Sequence, residues 1–342
     1  MLWINKTGIP QIFYDPHIEP ISVRPGFSIN DLDAAGGRPK GFSPLMSIYE
    51  ILDQKPNASI CLARVSSIGD ILLLFPLFFR IRELYPECHL MFASVKRYLE
   101  FIKYIDFIEP VEEKKLNTIR PDFGYDFNIT VERAERQGWG KLYHRSEIYA
   151  KIVGVSLEEH YTYTLPYSEI EKMKVLNLLQ QKSYISGPPL IGFQLRGASP
   201  QRTIPTEKLK RVINRLTGIG AAVVLLDGDK NIGWGGPNII NMCGELNVLE
   251  LVAMVDMCDL VVSTDSGVTH IAGAINKKNI AFFGGIPAEN RVRYPECIVV
   301  DLAGEFGCSP CWESGEKCVQ GWDCLVRANE DLMYNRIVDG LT

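Results

Sequence analysis

The chain has 342 residues, a length that suits two domains or one large one, each able to bury a core. Apolar residues make up 46% and charged residues 23%, the ordinary balance of a soluble globular protein. The net charge of -5 lacks the basic excess of a protein that lives on a phosphate backbone, which disfavours nucleic acid as the main ligand.

The first residues, MLWINKTGIPQ, show no basic segment followed by an apolar run, so no secretory signal is read. Residues 1–58 form a segment of their own whose role the composition does not assign. They carry strand-like pieces at 11–14 and 21–24 and a predicted helix over 44–52. The pattern changes at Ser59. A short apolar strand is predicted over 59–65, followed by a turn through Ser66, Ser67, Ile68, Gly69 and Asp70, and then an apolar helix to about Leu84. The most apolar stretch, 71–79, is flanked by Asp70 and Arg80 and is too short to span a bilayer. The expected location is therefore the cytoplasm, where thiols stay reduced. Strands are predicted over 89–94 and 125–130. This alternation of strand and helix predicts a parallel sheet with helices on both faces.

The polar segment 180–189 is the best linker candidate, and it divides an N-terminal domain (59–183) from a C-terminal one (184–342). In the second domain the alternation restarts. Strands are predicted over 190–195, 221–226, 260–263 and 279–284. A helix over 207–216 carries Leu209, Val212, Ile213 and Leu216 as one buried stripe. Asn247 followed by Glu250 makes a capping-box pattern, and a further helix is predicted over 267–275. The expected fold is α/β, two Rossmann-like doubly wound domains facing a central cleft at the carboxyl ends of their strands.

Two loops of the C-terminal domain suit an anionic ligand. At Asp265, Ser266 and Gly267 a buried strand turns directly into a helix. The unpaired N–H groups and dipole of that helix favour an anion, Ser266 adds a hydroxyl, and Gly267 allows close approach. Asp265 suits a helix cap or a ribose or sugar hydroxyl. The second loop, Gly197, Ala198 and Ser199 with Arg202 beyond, is a small-residue loop with cations nearby. Together they are what a nucleotide diphosphate needs. An ordinary strand–turn–helix with a good cap is the plainer alternative for the first loop.

Of nine cysteines, five (Cys61, Cys88, Cys243, Cys258, Cys297) are scattered, most of them in apolar contexts, and read as core residues. Cys308, Cys311, Cys318 and Cys324 form a tetrahedral thiolate pattern. It suits a structural zinc or iron with no open coordination position, in a finger over 304–326, with free thiols as the alternative.

These segments carry a resemblance. RVSSIGDILLLFP (64–76), IGFQLRGASPQRTIP (191–205), STDSGVTHIAGA (263–274) and the cysteine run occur in the order seen in the ADP-heptose:lipopolysaccharide heptosyltransferase family, glycosyltransferase family nine, of GT-B fold. The resemblance covers residues 59–342. It implies inverting transfer of a heptose-like sugar from a nucleotide diphospho-sugar, ADP-heptose, without a catalytic metal. Asp70 matches the family's general base, with Gly69 beside it, and a helix cap is the plainer role for that carboxylate. Arg202, standing where the family usually has Lys, would neutralise the leaving diphosphate together with the Ser266 and Gly267 amides. His270 would donate to a phosphate or sugar oxygen, or else serve as a buried structural histidine. The chain departs from the family in its 58-residue N-terminal segment and in Ile204, where a Trp is common.

The segment VERAERQGWGKLYHRSEIY (131–149) presents Arg133, Arg136, Lys141, His144 and Arg145. It reads either as a cationic face for an anionic acceptor or as a solvated helix face balanced by Glu132 and Glu135. The expected partners are the nucleotide sugar and a hydroxyl-bearing acceptor, which could be a lipopolysaccharide core or other glycan, a protein side chain or a modified nucleobase. No stable membrane insertion is expected, although peripheral association at the inner membrane face is compatible. A nucleotide-sugar epimerase of the same fold and a non-catalytic metal-finger module are the competing classes.

Overall fold

The computed structural model describes residues 3–5, 42–44, 47–116, 118–128, 130–136, 138–157, 163–302 and 323–341. The chain divides into two compact units, Met1–Tyr163 and Thr164–Thr342. The strand-like pieces expected at 11–14 and 21–24 lie outside the described residues.

In the first unit, β1 (Trp3–Asn5) pairs antiparallel with β2 (Phe42–Pro44). Helix α1 (Ile48–Gln54) starts later than the predicted 44–52, because Ser47 caps it in a capping box with Glu50. Its Ile48 and Leu52 are fully buried, and the Ile48 amide donates to the Val153 carbonyl at 3.0 Å. The end of the N-terminal segment is thus part of this unit's core. There follow β3 (Ser59–Ala63), α2 (Ile68–Leu84), β4 (His89–Ser94), α3 (Lys96–Leu99), β5 (Ile108–Glu112), β6 (Phe123–Asp126), α4 (Thr130–Arg136) and α5 (Arg145–Ile152). Strands β5-β4-β3-β6 form one parallel sheet in that order.

Strand β5 was not anticipated. Its sequence holds Pro110 and two acids, Glu109 and Glu112, which a strand tolerates at a sheet edge, and the edge is where it sits. Strand β6 ends at Asp126, short of the predicted 130, because the Asp126 carboxylate accepts the Asn128 amide at 2.9 Å and turns the chain.

Helix α2 is apolar on almost every side, and Ile71 through Phe78 are buried with Ile81. A helix of that kind belongs inside a core. It packs on α5, and Phe75, Phe78 and Phe92 meet edge to face. Among the described residues no helix is long and apolar enough to cross a membrane.

The second unit contains α6 (Glu169–Gln181), β7 (Leu190–Gln194), α7 (Thr206–Gly218), β8 (Ala222–Leu226), β9 (Ile239–Asn241), α8 (Val248–Met257), β10 (Leu260–Thr264), α9 (Gly267–Ala274), β11 (Asn279–Phe283), β12 (Cys297–Asp301), α10 (Asp323–Val326) and α11 (Glu330–Leu341). The parallel order is β12-β11-β10-β7-β8-β9. The unit begins at Thr164, ahead of the segment 180–189 expected to divide the domains. Helix α6 belongs to it because α6 packs on α8 and the Tyr167 hydroxyl donates to Asp256 at 2.5 Å. The polar segment simply joins α6 to β7.

The stripe Leu209, Val212, Ile213 and Leu216 of α7 is buried, together with Met333 and Ile337 of α11, against alternate residues of β7, β8, β10 and β11. Full burial of each Leu or Phe side chain stabilises by about 1.5–3 kcal/mol. Cores of this size can carry the cost of placing charged groups at their rims.

Candidate functional site

Strand order decides where each unit can bind a ligand. In the first unit the chain builds outward from β3 through β4 to β5 and then returns to the other side of β3 with β6. In the second it builds from β7 through β8 to β9 and returns beside β7 with β10, then β11 and β12. At such a reversal the two connections leave the sheet in opposite directions and open a crevice at the strands' carboxyl ends. The reversal point of the first unit lies beside the end of β3, which leads to Asp70. That of the second lies at the ends of β7 and β10, which lead to Gly197 and to Asp265.

In the first unit Asp70 occupies the third position of α2. Its Oδ2 accepts from the Ser67 amide at 3.3 Å and the Ser67 hydroxyl at 3.2 Å. The helix-start role and a place at the crevice therefore belong to the same carboxylate. Gly69 is buried in the same turn. Asp70 also pairs with two arginines. Arg64 Nη2 lies 2.6 Å from Oδ2, and Arg145 Nη1 donates to Oδ1. Arg64 Nη2 reaches Glu132 at 2.7 Å, its Nη1 donates to the Phe127 carbonyl at 2.6 Å, and its Nε donates to the Ser66 carbonyl. Arg145 holds Glu135 through Nε at 2.9 Å and Nη2 at 2.5 Å.

Burial works against the charge of both arginines. Their pKa values are nonetheless raised, for Arg64 through Tyr149, Asp70 and Glu132 and for Arg145 through Asp70 and Glu135. Burial raises the Tyr149 phenol, whose hydroxyl has no hydrogen-bond partner among the described residues.

This speaks against the cationic-face reading of 131–149 at two of its five cations. Arg145 and His144 are buried. Arg145 is spent on three carboxylates, and His144 caps α5 by accepting the Ser146 amide at 3.3 Å on Nδ1. The side chains of Arg136 and Lys141 lie outside the described set. Glu132 and Glu135 do balance the arginines, but within a network rather than on a solvated face. Arg64 went unnoticed in the sequence. Its signal was a lone cation at the end of an apolar strand.

In the second unit Arg202 joins the two predicted loops. Its Nη1 lies 3.4 Å from Asp265 Oδ2, and its Nε donates to Ser199 Oγ at 3.2 Å. Asp265 is buried while the Arg202 side chain is 31% exposed, so the guanidinium is anchored and still reachable. Asp265 pairs with Arg202, and Ser266 occupies the cap position of α9.

The Gly197 amide donates to Thr203 Oγ1 at 3.2 Å, and a Cβ on Gly197 would stand 2.6 Å from Arg202 Cβ. Its missing side chain therefore lets the loop fold onto Arg202, and its amide is not one of the anion donors. Ala198 is exposed beside it. Arg196 is committed to Asp227 at 2.9 and 3.1 Å, whereas Arg202 makes only a long 3.4 Å contact with its acid.

Ser266 makes no side-chain capping bond. Its Oγ and that of Thr264 are buried without a partner among the described residues. Buried hydroxyls without partners are costly, and the first amides of α9 beside them lack intrahelical acceptors. A diphosphate is an acceptor that would satisfy these groups, so the residues fit one. His270 is buried on α9 with Nδ1 2.9 Å from the Tyr294 hydroxyl. Gly273 lets the Tyr294 ring pack where a side chain would collide.

Among the described residues no group of three or more His, Cys, Asp or Glu could hold a metal ion. Cys308, Cys311 and Cys318 lie outside those residues, as does the side chain of Cys324. Cys61, Cys88, Cys243 and Cys258 are buried, as expected of core residues, and burial pushes the thiols of Cys61, Cys88 and Cys258 up to about 12.

Two doubly wound units, each with its motif at the strand reversal, define a protein of the GT-B glycosyltransferase fold. A family profile described as glycosyltransferase family 9 (heptosyltransferase) matches residues 149–319, half of the chain, and the chain belongs to that family. It is 27% identical over 172 residues to lipooligosaccharide heptosyltransferase 2 of Haemophilus influenzae. That match spans 46% of this chain and about half, 47%, of the relative.

Two solved structures share the fold. ADP-heptose lipopolysaccharide heptosyltransferase II of E. coli superposes with a TM-score of 0.64 at 18% identity, over 83% of this chain and 98% of that one. The dodecameric iron-containing heptosyltransferase TibC of enterotoxigenic E. coli, in complex with ADP-D-β-D-heptose, superposes with a TM-score of 0.64 at 15% identity. The match covers 91% of this chain and 82% of that one.

Proposed function

We propose that this chain is an inverting heptosyltransferase that moves a heptose from ADP-heptose to a hydroxyl of a lipopolysaccharide-core-like glycan. The observation that carries the reading is the coincidence of motif and topology. The segments 64–76, 191–205 and 263–274 each pass through a strand-reversal point, where a doubly wound sheet binds its ligand. ADP-heptose, in the name of one solved relative and in complex with the other, fits the diphosphate-seeking groups of the second unit.

In the reaction the acceptor oxygen attacks the anomeric carbon as the bond from that carbon to the diphosphate oxygen breaks. The acceptor proton passes to Asp70 as its hydroxyl becomes acidic, and ADP leaves with the bonding pair. Arg64 and Arg145 hold the carboxylate in place, so that it is already oriented when the proton is released. The charge developing on the leaving diphosphate is met by Arg202, by the Ser266 hydroxyl and by the first amides of α9, without a divalent ion. Gly267 opens that helix, and His270 reaches the sugar or a phosphate from its next turn.

In this reading the cysteines Cys308, Cys311, Cys318 and Cys324 are the ligands of a structural iron or zinc. The iron-containing relative favours iron. The place of work in this reading is the cytoplasm.

The test is ADP release from ADP-D-β-D-heptose with a heptose-free lipopolysaccharide core oligosaccharide as acceptor. Asp70→Asn preserves shape and removes the base. It should lower kcat by about 10²–10⁴-fold with the donor KM unchanged. A wild-type rate in that variant would rule Asp70 out as the base. Metal analysis of the purified protein should find one iron or zinc per chain, lost in Cys308→Ser.

A further inference from the structure

We propose that Arg145 is a positioning residue for Asp70. It acts with Arg64 and with Glu132 and Glu135 to fix the direction and charge of the carboxylate, and it is not a cation for the acceptor. The inference rests on the reading of Asp70 as the base.

A guanidinium is a planar fork, so fastening two of its nitrogens fixes where the third points. Arg145 is fastened by Glu135, which takes Nε at 2.9 Å and Nη2 at 2.5 Å, and Glu135 is only 3% exposed. The remaining nitrogen, Nη1, is thereby aimed at Asp70 Oδ1. Arg64 mirrors this from the other oxygen. Its Nε and Nη1 are held by the Ser66 and Phe127 carbonyls, and its Nη2 reaches Asp70 Oδ2 at 2.6 Å. The carboxylate is thus gripped through both oxygens by forks that are themselves locked, while Ser67 holds it to the start of α2. The Arg64 and Arg145 side chains are 4% and 8% exposed and face acids, so neither is presented to an anionic acceptor.

The charge count explains why two arginines do not disable a base. Asp70, Glu132 and Glu135 carry three negative charges and Arg64 and Arg145 two positive ones, leaving the cluster at -1. Taking the acceptor's proton brings it to zero, so no uncompensated buried cation is created. Tyr149 is a further titratable group coupled to the cluster, and its phenol stays neutral because burial raises it. Glu132 divides its pull between Arg64, at 2.7 Å, and Arg145, at 3.6 Å, so it controls how much positive charge is left to Asp70.

The experiment uses the full-length protein, the same ADP-release assay, and carbon-13 NMR of Asp carboxyl carbons with the Asp70 resonance identified by its loss in Asp70→Asn. Arg145→Lys keeps a charge but cannot span Glu135 and Asp70. It should lower kcat by about 10²-fold with the donor KM unchanged, the cost of a misplaced group. Arg145→Gln should move the acid limb of the kcat profile and the Asp70 resonance to higher pH, because a cation beside the carboxylate is lost. Glu132→Gln should move both to lower pH, because Arg64 is left more fully to Asp70.

Wild-type kcat in Arg145→Lys, or an unmoved or oppositely moved resonance in Glu132→Gln, would overturn the proposal. If the Arg145 variants do not fold, Glu132→Gln decides alone, since its side chain is 30% exposed and its loss should leave the core intact. Wild-type transfer by Asp70→Asn would instead defeat the base reading itself. A failure of positioning leaves that rate low and moves only the Arg145 and Glu132 results.

Discussion

The two crevices are built on opposite plans. Around Asp70 the charged groups bind one another: three carboxylates and two guanidiniums close into a network, and the guanidinium nitrogens donate to acids or backbone carbonyls. Around Asp265 the plan is open. The Arg202 contact is long at 3.4 Å, and the Thr264 and Ser266 hydroxyls are buried without partners among the described residues. A closed network sets the geometry of a reacting group before any ligand arrives, whereas an open one gains its partners from the ligand. The first should therefore contribute to the stability of the empty protein and the second to the affinity for a diphosphate.

The comparison can be broken most severely at Glu135. Glu135→Gln leaves Arg145 buried with its bidentate partner neutralised, and should destabilise the ligand-free protein by about 3–5 kcal/mol in urea unfolding. A loss under 1 kcal/mol would mean that the network contributes nothing to holding the first unit together.

Arg202→Ala should do the reverse. Unfolding of the empty protein should hardly change, while kcat falls by about 10²–10³-fold through lost stabilisation of the leaving group. A large change in empty-protein stability would show the Arg202–Asp265 pair to be structural.

Ser266→Ala removes a buried hydroxyl that has no partner to lose. It should leave the empty protein as stable as before and reduce ADP binding by about 10-fold, a loss in the 1–3 kcal/mol range of a hydrogen bond to a charged group, read as a smaller ADP-induced rise in Tm. Unchanged ADP binding would remove Ser266 from the site.

The smallest effect should come at Asp122, far from either crevice, which receives Lys55 at 2.8 Å and the Ser59 amide at 2.9 Å. Partial burial raises its pKa, but these bonds outweigh burial and the net shift is downward. A carboxylate depressed in the folded state stabilises above its unfolded value and loses that contribution as pH falls through the folded one. Asp122→Asn should therefore cost no more than about 1 kcal/mol at neutral pH, and the difference from wild type should vanish under strongly acidic conditions.

Much of the fold was legible because its signals are local. The strand over 89–94, the helix through Leu84 and the capping box of Asn247 and Glu250 stand where the pattern put them. So does the apolar stripe of α7, whose residues are all buried. Strand β5 was missed because Pro110 and its acids look like a loop until an edge position is known. The division into units was placed too late because a polar segment signals exposure, not a boundary. The turns after β7 and β10 were legible from their small and polar residues. The committed amide of Gly197 was not, since it depends on Thr203 folding back.

Taken alone, the order of residues determined the periodicities, the caps, the small-residue turns and the family to which the motifs belong. Those features arise among neighbours a few positions apart. Only the tertiary structure decided which charges are spent. Arg145 reads as a surface cation beside Glu132 and Glu135, yet it reaches Asp70, a residue seventy-five positions away. Arg64 is aimed at the same carboxylate from the end of β3. A charge has no meaning for function until its partner is known. Here the partners come from β3, α2, α4 and α5, brought together by the packing of α2 and α5 beside a sheet whose strands reverse direction of build at β3.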